Sequence, residues 1–165
     1  MNNWYRFRLG GLNSHLILTL MKDFENFGDI NKKDLIELNY SKETIDSISS
    51  LLEIDLEDEK EKYKRNKVRI LSYNSDEYPR MLKEISNPPP FLYVKGNGDF
   101  SNKSLAVVGT RKISSYGKLA CDKIVSGFNN KGITIVSGLA LGVDTYAHEI
   151  ALKGNSSVIG VVAQG

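Results

Sequence analysis

Residues 105–165 read LAVVGTRKISSYGKLACDKIVSGFNNKGITIVSGLALGVDTYAHEIALKGNSSVIGVVAQG, and their punctuation decides the fold. Leu105-Ala106-Val107-Val108 is an apolar run of strand length that ends at Gly109. A helical stretch from about Tyr116 to Asn130 stops at Lys131-Gly132, as helices with a glycine just past the last turn do. Strand Ile133 to Val136 breaks at Ser137-Gly138, and a second helix from about Val143 to Lys153 ends at Gly154. Val158 to Val162 then forms a third strand. The order is β-α-β-α-β, one mononucleotide-binding half of a doubly wound sheet.

Right-handed crossovers make such strands parallel, so Gly109-Thr110-Arg111, Ser137-Gly138 and Gln164-Gly165 emerge at one edge, the carboxyl ends of the strands. That edge offers glycines, hydroxyls, amides at two helix amino termini and one guanidinium, a set suited to phosphate. A helix terminus favours an anion by about 0.3 to 1 kcal/mol. A hydrogen bond to a charged group contributes about 1.5 to 3 kcal/mol, so Arg111 dominates, with Lys112 and Lys118 as electropositive neighbours.

Sharper nucleotide readings fail on spacing. There is no G-x-x-x-x-G-K-[ST] run for a triphosphate, and Gly109 is followed by Thr110-Arg111 instead of the second glycine of the dinucleotide fingerprint. Asp144 and His148 lie four apart on one helix face, with Ser137 near its start. A working triad needs the base to reach the nucleophile at about 3 Å, so the expectation for the pair is a scaffold: Asp144 on first-turn amides, His148 hydrogen-bonded under the loop. Cys121 reads as a small buried residue. Tyr116 and Tyr146 stand at or near the binding edge, where each can stack a base or pack at the rim.

Upstream, Val68 to Leu71 and Phe91 to Val94 read as two short strands, separated by Tyr78-Pro79 and by Pro88-Pro89-Pro90, an extended connector. Glu53 to Arg65 has 10 charged residues in 13, an exposed helix with pairs such as Asp58 and Lys62. From Trp4 to about Ile48 apolar residues recur at helical spacing, with turns at Gly10-Gly11, Gly28-Asp29 and Asn39 and caps at Asn31 or Ser41. The expected architecture is α/β: a partial Rossmann-like parallel sheet (β-α-β-α-β plus two preceding short strands) with a small N-terminal helical domain. The expected boundary is 1–66, a SAM-like or helix-hairpin-helix-like helical domain, and 67–165, a truncated Rossmann-like domain.

At 165 residues with 41% hydrophobic and 25% charged side chains, the chain can bury one ordinary core or two small ones. One cysteine precludes an internal disulfide, and two histidines offer no ligand spacing, so neither metal nor cofactor is expected. No run of about 18 apolar residues spans a bilayer, and the amino terminus MNNWYRFRLGG lacks a signal-peptide core, so the expected location is the cytoplasm. Residues 1–66 carry 10 basic and 13 acidic side chains, whereas residues 67–165 carry 12 and 7 together with 11 of the 14 glycines. An anionic ligand therefore belongs on the second half.

Tyr78-Pro79 with Leu82 and Ile85, PPPFLYVKG (88–96), AVVGTRKISSYG (106–117), VSGLALGVDTYAH (136–148) and IGVVAQG (159–165) together resemble the DNA-processing protein A family, DprA/Smf. Leu9-Gly10-Gly11-Leu12 resembles, more loosely, that family's helical domain. The resemblance implies a non-enzymatic bacterial protein that binds single-stranded DNA in natural transformation, protects it and helps load the recombinase RecA. It maps a Gly-Ser/Thr-Arg turn onto Gly109, Thr110 and Arg111. It also maps a Ser-Gly-x-Ala-x-Gly-x-Asp…His motif onto Ser137, Gly138, Ala140, Gly142, Asp144 and His148. Asn13 stands where a helix-hairpin-helix turn would have a second glycine, so that turn is given no DNA role.

Family members continue past Gly165 with surfaces used for self-association and RecA contact. The expectation is an amino-terminal fragment or truncated product whose sheet edges lack neighbours. The rival from another class is a small-molecule nucleotide enzyme, such as a phosphoribohydrolase of related fold, although its Pro-Gly-Gly-x-Gly-Thr signature is absent. A third reading is an interaction module that binds no nucleic acid.

Overall fold

The computed structural model describes residues 2–163. The chain divides into two compact units, one through Asn97 and one from Gly98.

In the first unit five helices precede a β-hairpin: α1 (Tyr5–Leu9), α2 (Ser14–Asp23), α3 (Lys32–Glu37), α4 (Lys42–Leu51) and α5 (Glu57–Arg65). Strands β1 (Val68–Ser72) and β2 (Phe91–Lys95) flank the short helix α6 (Arg80–Lys83). Side chains start three of these helices. Asn13 accepts from the Leu16 amide at 2.9 Å, Asn31 from Asp34 at 3.0 Å and Ser41 from Thr44 at 3.2 Å, each satisfying an amide with no intrahelical partner. Asn13, the departure from a glycine turn, thus serves as the cap of α2.

The apolar stripes meet in one core where Phe7, Ile17, Leu20, Leu35 and Ile48 are fully buried. Trp4 packs edge-on against Phe7 and Phe27 at 6.0 and 5.6 Å between ring centroids. On α5 the ion pairs run at i to i+3, with Lys62 on Glu59 at 3.0 Å and Lys64 on Glu61 at 3.6 Å. The expected Asp58–Lys62 pair is not among them, because Lys62 turns to Glu59 instead.

Strands β1 and β2 pair antiparallel with each other, Val68 opposite Lys95 and Ser72 opposite Phe91. They form a two-stranded sheet separate from the parallel one. Phe91 is buried in the helical core, 5.3 Å from the Tyr5 ring. The Tyr5 hydroxyl bonds those of Tyr63 and Tyr93 at 3.0 and 2.9 Å. Burial, reinforced by both partners, pushes the Tyr5 phenol far above its ordinary range. These contacts place the hairpin with the helices, so the compact division falls some thirty residues after the 66/67 boundary expected from composition. Charge changes at residue 67; packing changes only where the hairpin ends.

The second unit contains β3 (Ser104–Ala106), α7 (Ser115–Ser126), β4 (Thr134–Ser137), α8 (Val143–Lys153) and β5 (Val158–Gly160). The sheet is parallel in the order β3-β4-β5, with Ala106 opposite Val136 and Val136 opposite Ile159. Cys121, Val125, Ile135, Ala147, Ile150 and Ala151 form its core, joined by Leu105, Val107 and Val158. Cys121 and Val125 of α7 share this core with Ala147, Ile150 and Ala151 of α8, so both helices lie on one face of the sheet, as right-handed crossovers taken in one direction require. Within the apolar run 105–108, Leu105 and Val107 pack against that core, while Val108 is 73% exposed. The expected edge segment Gln164-Gly165 lies outside the described residues.

Phe91→Ala should destabilise the helical unit by about 3 kcal/mol, the usual cost of emptying a buried aromatic site. Urea unfolding followed by far-UV circular dichroism measures it; an unchanged midpoint would separate the hairpin from the helical core.

Candidate nucleic-acid interface

The loops after β3 and β4 meet at the carboxyl edge of the sheet, and one carboxylate joins them. Asp144, in the first turn of α8, accepts from the Gly109 amide at 3.2 Å and from the Gly138 amide at 2.9 Å. It is 5% exposed. Burial raises its pKa, but the Gly138 amide and the Gly109 and Ala140 amides together outweigh that and hold the carboxyl below its ordinary value. The Ser137 hydroxyl donates to the Val107 carbonyl at 2.6 Å. After β5, the Val161 amide bonds the Ser137 carbonyl at 2.8 Å, tying that strand end to the same place.

Close backbone approach explains two glycines. Gly142 has φ of 90°, and a Cβ there would lie 2.2 Å from the Thr110 carbonyl oxygen. A Cβ on Gly109 would meet the Val143 side chain at 2.7 Å. With those volumes left empty, the Val143 amide bonds the Thr110 carbonyl at 3.1 Å, and the Thr145 amide bonds Ala140 at 3.1 Å.

These contacts engage several of the expected phosphate donors internally. Gly109 and Gly138 give their amides to Asp144, the Ser137 hydroxyl is buried on Val107, and the first turn of α8 is engaged by Thr110 and Ala140. Ser137, Gly138, Ala140, Gly142 and Asp144 are thus brought together as an internal frame. Asp144 reaches the loop amides instead of only its own helix.

What faces outward is the segment from Thr110 to Lys118. Thr110, Arg111, Lys112 and Lys118 are exposed. The Thr110 hydroxyl accepts from the Lys112 amide at 3.2 Å and shapes the turn. No acidic residue occurs between Asp99 and Asp122. Among the described residues no carboxylate lies within 4.0 Å of Arg111, Lys112 or Lys118. Ser114 caps α7 by accepting from Gly117 at 3.1 Å, and Lys118 bonds the Ser114 carbonyl. The Ser115 and Tyr116 amides, which have no intrahelical acceptor, complete the positive end of that helix. The Ser114-Ser115 pair just before the helical stretch was the signal for this cap.

The two tyrosines part company. Tyr116 is 80% exposed. Tyr146 is half-buried, donates to Asp122 at 3.0 Å and has the Lys118 ammonium 5.7 Å from its ring centre, so it packs between α7 and α8. Cys121 is buried, and burial, with Asp122 beside it, pushes its thiol pKa up. His148 is buried as expected, but its Nε2 has no hydrogen-bond partner. No Asp144–His148 or Ser137–His148 bond forms among the described residues, so a Ser-His-Asp relay is not assembled. No cluster of three or more metal-ligating side chains occurs among them either.

This geometry coincides with a match to known proteins. The model of the family described as DNA recombination-mediator protein A matches residues 69–165, more than half of the chain. The chain belongs to that family. The DNA processing protein DprA of Bacillus subtilis (strain 168) is 35% identical over 105 residues, covering 62% of this chain and 35% of that protein. Its Streptococcus pneumoniae (strain ATCC BAA-255 / R6) namesake is 31% identical over 163 residues, 98% of this chain and 57% of that one. The X-ray structure of DNA processing protein A from Streptococcus pneumoniae aligns with a TM-score of 0.75 at 30% identity, over 100% of this chain and 59% of that chain. The chain thus spans less than two thirds of the length of these family members. No described helix is long and apolar enough to cross a membrane.

Because the folded pKa of Asp144 lies below its unfolded value, its contribution is complete above the ordinary carboxylate range and is lost as pH falls through the folded pKa. Asp144→Asn should therefore lower the thermal midpoint of the second unit at neutral pH and flatten the acid limb of its stability profile. A midpoint and acid limb identical to the parent's would remove Asp144 from the frame.

Proposed function

We propose that the chain binds single-stranded DNA through the Thr110–Lys118 rim. We further propose that it takes part in the protection of incoming DNA and the loading of RecA during natural transformation, as the family resemblance implies. The supporting observation is the grouping of Arg111, Lys112 and Lys118 with the amino end of α7, exposed and without carboxylate partners, on a frame locked by Asp144. Each feature favours an anion, and the guanidinium offers the strongest single contact. Tyr116 adds an exposed ring beside the cations, and a stacked base is worth about 1 to 3 kcal/mol on such a platform. The reading is of a binding site and not an enzyme. Contacts to self or to RecA are assigned to no residue of this chain.

Three phosphate contacts on a single strand give a slope of about −2 for log affinity against log salt. Fluorescence anisotropy of labelled oligo-dT should show it. Arg111→Ala should weaken binding to all sequences alike and make the slope shallower by about 0.7, since phosphate contacts carry no base information. Salt-independent binding, or an Arg111→Ala variant equal to the parent, would refute the assignment. Product release from a nucleoside monophosphate would favour the phosphoribohydrolase alternative.

A further inference from the structure

A second group of cations lies within the first unit, at the open end of the hairpin. Helix α5 is polar along its length, with Glu57, Asp58 and Glu59 in its first turn and Lys62, Lys64 and Arg65 in its last. The chain leaves it through Lys67 and enters β1, while β2 ends beside it at Lys95 and Gly96. Together these form a depression of about 530 Å³ lined by Lys64, Lys67, Arg69 and Lys95 with Val68, Gly96 and Asn97. No carboxylate lines it. Lys64 is engaged by Glu61 and Arg69 by Glu77, but neither Lys67 nor Lys95 has a carboxylate within 4.0 Å among the described residues.

Two features distinguish this end from an ordinary solvated surface. Lys67 adopts φ of 53°, the left-handed region where glycine or asparagine is at ease and a lysine is strained. Side chains two apart on a strand share a face, so Tyr93 lies on the same face of β2 as Lys95. Tyr93 is 48% exposed. Its ring is backed by Tyr63 at 5.6 Å, and its hydroxyl is fixed to Tyr5 at 2.9 Å. A rigid, half-exposed ring on the same strand face as an unpaired ammonium is the combination that sequence-independent single-strand binding uses: stacking for bases, ammonium groups for the backbone.

We infer that the open end of the β1–β2 hairpin is a further single-stranded DNA contact, with backbone phosphates on Lys67 and Lys95 and a base against Tyr93. The inference rests on the proposed DNA binding and adds to it a site on the other unit. The carbonyl end of α5 opposes an anion, and the lysines and arginine of its last turn offset that. An acidic peptide would satisfy the cations but leave the aromatic ring unused, so nucleic acid is the better fit.

The test uses the full chain and labelled oligo-dT, with anisotropy measured across a salt series and thermal midpoints measured in parallel. Lys67→Gly removes the charge and relieves the left-handed strain. It should keep or raise the midpoint while weakening binding, an outcome that a merely structural lysine would not give. Lys67→Gly combined with Lys95→Gln should make the salt slope shallower by about 1.4, at about 0.7 for each lost phosphate contact. Unlabelled oligo-dT should displace the probe far better than poly-glutamate.

The inference is overturned if the double variant binds with the parent's affinity and slope, or if poly-glutamate competes equally well. Arg111→Ala separates the two sites. Loss with Arg111→Ala alone leaves the rim standing without the hairpin, loss with the lysine variants alone does the reverse, and a parent chain that binds no oligo-dT removes both.

Discussion

The rim of the second unit depends on a carboxylate that holds two loops by their amides. Asp144 reaches from the first turn of α8 to Gly109 and Gly138, so the ends of β3 and β4 are locked to the helix between β4 and β5. Backbone amides at strand ends are a ready site for phosphate in folds of this kind. Here an internal anion occupies two of them. The usual nucleotide cradle is thereby turned into a rigid support, and an external anion must be met by side chains projecting from its outer surface. Arg111, Lys112 and Lys118 stand on that outer surface within eight residues of chain.

Much of this was legible in the sequence because local rules and tertiary packing agree. The Gly154 stop marks the end of helix Val143–Lys153, and capping chemistry marks Asn31 and Ser41. The parallel direction of β3, β4 and β5 follows from their crossover connections. What escaped was non-local. An aspartate four residues before a histidine looks like a local pair, and only the folded loops show that amides 35 and 6 residues away claim it. Ser137 and Tyr146 likewise carry groups suited to a ligand, but each had a partner that spacing along the chain does not disclose.

Composition and packing divide the chain at different places for a physical reason. Charge is a surface property and changes sign near residue 67, whereas the hairpin's buried face belongs to the aromatic core around Tyr5 and Phe91. By compact unit, residues 1–97 carry 15 basic and 16 acidic side chains and residues 98–165 carry seven and four. The first unit is therefore nearly neutral as a whole, and its positive end at the hairpin arises from segregation along α5 and not from net charge.

The tyrosine cluster has a consequence for how the chain matures. Tyr5 joins partners 58 and 88 residues downstream, so the aromatic core set up by the first helices cannot be sealed until β2 has been translated. Contacts of such long sequence separation are slow to close because much intervening chain must first be ordered. While the ribosome is still adding the segment between β1 and β2, the α1 to α5 bundle remains an unfinished shell. The arrival of Phe91, rather than the end of the last helix, completes the unit's hydrophobic interior.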